Sequence, residues 1–105
     1  MVWYKDLYVG RMIAARKDSV IDSIERGEYP SGVYVILIPE NENSQLEIMS
    51  AREFRHAYVR KNCLMIVGLG LGRTEARTMI EGIVGDVYRQ RGDADIRAWL
   101  SEEHE

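Results

Sequence analysis

An α/β fold of the α+β kind, in one small domain, is the class that the apolar patterning of this chain predicts. Three observations carry that prediction. Two short runs, VYVILIP at 33–39 and CLMIVGL at 63–69, are apolar at nearly every position, as strands buried on both faces are. The stretches around them repeat their apolar residues at helical spacing. The chain has 105 residues, enough for one core and too few for two.

The elements follow in order. Residues 2–9 hold Val2, Trp3, Tyr4, Leu7, Tyr8 and Val9, a density of large side chains that docks this end on the body, with Leu7–Val9 offered as a short extra strand. From Arg11 to Arg26 a helix is expected, since Ile13, Val20, Ile21 and Ile24 share a face and Asp22 stands four before Arg26. Gly27 and Pro30 end it. VYVILIP is then the first main strand. ENENS is a loop of turn formers, and QLEIMS alternates as an antiparallel edge strand should.

Ser50-Ala51-Arg52-Glu53 matches a capping box. A short helix is therefore expected there, with Phe54, Ala57 and Tyr58 on its apolar side. The third main strand is CLMIVGL. A long helix runs from Thr74 to about Gln90, its stripe formed by Ala76, Met79, Ile80, Ile83, Val84 and Val87. Gly92 ends it, and Asp93 or Asp95 caps a last short helix carrying Ile96, Trp99 and Leu100. The order is α-β-β-α-β-α. If the two-sided strands are neighbours, a three-stranded sheet of order 2-1-3 results, its middle strand antiparallel to both others. Both faces of such a sheet need cover, from helices on each side or from a second copy of the chain. Self-association is accordingly expected.

Composition narrows the function classes. Net charge is −3, which argues mildly against a dedicated nucleic-acid binder. The longest apolar runs are shorter than the roughly 20 residues a membrane helix needs, and Asp6 interrupts the place where a signal peptide would carry its apolar core. One cysteine, Cys63, has no partner for an internal disulfide, which fits a reduced, cytoplasmic protein. The end 101–105, SEEHE, is an acidic tail.

Candidate chemistry concentrates in two places. In IVGLGLGRTEA, residues 66–76, Gly68, Gly70 and Gly72 precede Arg73 and Thr74 at a strand-to-helix junction. Bare backbone N–H groups and a helix start can cradle a phosphate. Neither nucleotide fingerprint fits, however. The third glycine of G-x-G-x-x-G falls on Arg73. The Walker pattern meets Val67 where it needs glycine and Arg73 where it needs lysine. Close helix–sheet packing and a sharp turn are the leading explanation, and a phosphate-bearing small molecule is the alternative.

The second place is the short helix, where Arg52, Arg55, His56, Arg60 and Lys61 crowd together. A solvated outer face is the simplest account. An acidic protein partner, or RNA gripped by cations and aromatics, are the functional ones. With Phe54 and Tyr58 assigned to the core, the aromatic half of an RNA site is missing. His56 and His104 form no metal-ligand spacing with Cys63. No catalytic constellation, metal or cofactor is assigned, and the reading leans away from an enzyme. Gly82 and Gly85 stand inside the strongest helix with no local need for them, either as tolerated surface glycines or as places where another backbone packs.

Overall fold

The computed structural model describes residues 1–101; the acidic end 102–105 lies outside the described residues. Strands β1 (Trp3–Val9), β2 (Val33–Pro39), β3 (Glu47–Ser50) and β4 (Cys63–Leu71) form one sheet. The helices are α1 (Lys17–Glu25), α2 (Ala57–Asn62), α3 (Arg73–Arg91) and α4 (Ile96–Ser101). The α/β class holds, with four strands rather than three.

Strand order is β1-β4-β2-β3. The expected trio is all there: β2 lies between its neighbours and runs antiparallel to both, pairing Val35 with Met49 on one side and with Leu69 on the other. The added strand is the N-terminal segment. It covers all of Trp3–Val9 and lies parallel to β4, with Trp3 opposite Ile66 and Val9 opposite Leu69. Lys5 and Asp6 interrupt its apolar residues, and both are exposed. Charges in that place suit an edge strand, whose open side would otherwise invite pairing.

Both faces of the sheet are closed by helices of the same chain. On one face Ile13, Val20 and Ile24 join Phe54 and Val59 over Val33, Val35, Leu37, Ile66 and Leu69. On the other, Ala76, Ile83 and Val87 of α3 and Ile96 and Leu100 of α4 cover Ile36, Ile38 and Val67. Strands β2 and β4 are thus the middle layer of three, which is why they read as apolar on both faces. The sheet needs no second copy for cover.

Three local departures have physical causes. The first helix begins later than Arg11: Ala14–Arg16 is a 3-10 turn, and Ile13 is fully buried ahead of it. Gly27 ends α1 at φ +79, a conformation that favours glycine. The segment after β3 is two pieces rather than one helix. A 3-10 turn spans Ala51–Arg55, with Ser50 Oγ accepting from the Arg52 amide at 3.3 Å. His56 is then extended at ψ 128, and α2 starts at Ala57. An unbroken helix would bury positions 54 and 58 together. The break rotates the second piece so that Phe54 and Val59 point inward, and Ala57 and Tyr58 face solvent.

One side chain fastens α4 to the end of β2 and the loop between β2 and β3. The Arg97 guanidinium donates to the carbonyls of Pro39, Asn41 (2.8 Å) and Ser44 (3.0 Å), while its amide donates to Gln45 Oε1. Asp95 caps this helix by accepting from the Ala98 amide at 3.1 Å, and Asp93 accepts from the Asp95 amide. That backbone hydrogen bond, followed by Arg91, holds the Asp93 carboxyl below its ordinary range.

Candidate functional site

The glycine stretch lies where β4 passes under the start of α3. A Cβ on Gly68 would sit 3.1 Å from Ile36 Cδ1 and 3.2 Å from Met79 Cε. On Gly70 it would sit 3.3 Å from the Ala76 backbone nitrogen and 3.3 Å from Met79 Sδ. These two glycines let the helix rest directly on the strand. Gly72 has a different task, turning the chain at φ +82 just before the helix. Its amide donates to the Gly32 carbonyl at 2.8 Å.

Arg73 and Thr74 follow, both exposed. Arg73 lies over the Tyr34 ring, 5.4 Å from its centroid. The nearest anion to this turn is the protein's own. Glu75 reaches back so that one carboxylate oxygen accepts from the Leu71 amide at 2.5 Å and the other from the Met12 amide at 2.8 Å. Gly10 leaves room for it, because a Cβ there would fall 2.3 Å from the Glu75 carboxyl carbon. Glu75 therefore ties the β4–α3 turn to the segment after β1. Sequence reasoning missed both Gly10 and the tie, which joins residues 63 positions apart.

The basic segment is more open. Arg52, Arg55, Arg60 and Lys61 are exposed and His56 is half-buried. None of the ion pairs among the described residues engages these cations. Arg60 is nonetheless committed inward, donating to the Phe54 carbonyl at 2.5 Å, a group that the break at His56 frees from helical bonding. Arg55, His56 and Tyr58 form a continuous surface. Arg55 Nε donates to His56 Nε2 at 3.2 Å, and the His56 ring stacks on Tyr58 with centroids 5.4 Å apart and planes 23° apart. Tyr58 is 70% exposed, which corrects its assignment to the core.

The remaining candidates divide simply. Gly82 has open space around its missing Cβ, and Gly85 meets only the Arg89 side chain, so among the described residues no other backbone packs on either. Cys63 begins β4, half-buried, and burial pushes its thiol up to about 11 against a weaker opposite pull from the chain's amino terminus. The folded protein thus holds the thiol protonated. The associated stabilisation is present below the ordinary thiol range and lost as pH rises through about 11. At pH 8 a disulfide reagent is expected to react with Cys63 about 100-fold more slowly than with the urea-unfolded chain, because only the thiolate attacks. Equal rates would contradict this placement.

Among the described residues no pocket opens and no group of three His, Cys, Asp or Glu could hold a metal ion. None of their helices is long and apolar enough to cross a membrane. Searches against protein-family models, curated proteins and solved structures find no match for this chain.

Proposed function

We propose that the protein is a non-enzymatic interaction module, working in a reducing, cytoplasmic setting, that meets an anionic partner through the outer side of residues 52–61. The outward-facing Tyr58, stacked on His56 within reach of Arg55, carries this reading. Segment 52–61 has four Lys/Arg against the single acid Glu53, while the rest of the chain has ten against sixteen. Positive charge is therefore concentrated on a molecule otherwise at −6, and such an asymmetry orients an anionic partner toward one surface. Tyrosine and arginine are also the side chains that most often dominate binding energy at interfaces.

The phosphate reading of Gly68–Thr74 has less in its favour, since Glu75 already holds the Leu71 amide. Self-association draws no support from the sheet faces. At the β1 edge, a two-fold antiparallel pairing sets some residue opposite its own copy. Centred on the strand, that residue is Asp6, and like charges directly opposite are unfavourable.

The reading is tested with two probes of like charge density, deca-glutamate and deca-uridylate, at low salt. At least one is expected to bind, and the combined Arg52→Glu, Arg55→Glu and Lys61→Glu substitutions should abolish that binding while the melting temperature stays within a few degrees. No binding by either probe, or undiminished binding in the variant, contradicts the assignment.

A further inference from the structure

The geometry points to single-stranded nucleic acid as the ligand of this surface, an inference that rests on residues 52–61 being the contact site. A base would stack on Tyr58 while Arg55, Arg52 and Lys61 meet the flanking phosphates. The break at His56 is what makes this possible. A continuous helix would have buried Tyr58 with Phe54, leaving cations without an aromatic platform. The chain instead turns outward, and His56 supports the Tyr58 ring from one side at 5.4 Å. Tyr58 is 70% exposed, so the ring keeps open surface for a second stacking partner.

Arg55 is held at one end of this stack by its bond to His56, so a cation and a flat aromatic surface are fixed side by side. That combination is how proteins grip single strands without reading their sequence. Every base has a π-face, and the cations follow the backbone. An acidic peptide would use the same cations but has no group matched to the exposed ring face. The net −6 on the rest of the molecule repels a long polyanion, so the site fits a short stretch of a few nucleotides.

The test is fluorescence anisotropy on the full chain with fluorescein-labelled deca-uridylate, and with deca-glutamate as the rival anion. Uridylate is expected to bind at low salt, and Tyr58→Ala to weaken it about 10-fold by loss of one stacked base. Tyr58→Phe should retain binding. Three phosphate contacts imply a loss of about 100-fold between about 20 mM and about 200 mM salt. Tyr58 is exposed, so a thermal melt should show both variants folded. Deca-glutamate binding as tightly as uridylate, or Tyr58→Ala binding unchanged, would overturn the nucleic-acid assignment while leaving the interaction surface standing. Binding of neither polymer would overturn both.

Discussion

Replacing Phe54 by alanine is expected to destabilise the protein by about 3–5 kcal/mol, the range for deleting a fully buried aromatic ring. Phe54 is fully buried and among the largest side chains in the core. It joins the 3-10 turn to β2 and α1 on one face of the sheet, with the Tyr29 ring 6.4 Å away. Domains of this size hold about 5–15 kcal/mol in total. A loss of that size should lower the melting temperature by roughly 15–20 °C. A thermal melt followed by circular dichroism measures it. The same change tests the surface, because the Phe54 carbonyl and the break at His56 orient Arg60 and Tyr58. A shift of less than a few degrees would mean that the segment is not anchored through this ring.

The glycines give the second large effect, and they divide by sign. Gly70→Val pushes branched carbons against the Ala76 backbone and Met79. Since Ala76 belongs to α3, relief requires the helix to lift from the sheet, and the expected cost is about 1–3 kcal/mol. Gly82→Ala meets nothing within 4 Å and exchanges the poorest non-proline helix former for the best. It should stabilise by up to about 1 kcal/mol. Urea unfolding of both variants measures the contrast. Destabilisation at Gly82 would reveal a backbone packed there, and indifference at Gly70 would show that the turn, rather than close packing, needs a glycine.

Much of the architecture is legible in the residues because β2 and β4 are sandwiched, and sandwiched strands leave the plainest signal a sequence can carry. Their neighbour relation then sets the order of three strands. The full extent of β1 is not legible. Its outer charges, Lys5 and Asp6, suit an edge but interrupt the apolar pattern by which a strand is recognised. The break at His56 is invisible for another reason. Its cause is tertiary: Phe54 and Val59 reach one core only if the chain changes direction between them.

The two candidate sites were legible as residue clusters and illegible as geometry. Alternating glycines announced a close approach without saying what approached, which proves to be Met79 and the Ala76 backbone. Glu75 could be placed in the first turn of α3, but its bond to the Met12 amide spans most of the chain. Arg97 drew no reading from the sequence, and its carbonyl partners lie more than fifty residues away. Local spacing carries no trace of such contacts.

The outer surface at residues 52–61 exists as described only if one chain seals its own oily layer, with α1 and the segment after β3 on one side and α3 and α4 on the other. Thermal unfolding at widely separated protein concentrations, about 1 µM and about 200 µM, examines that most directly, because a fold completed by a second copy gains stability by mass action. Coincident midpoints are expected. A midpoint that climbs by several degrees with concentration would mean that a partner chain covers part of the sheet, contradicting the arrangement described.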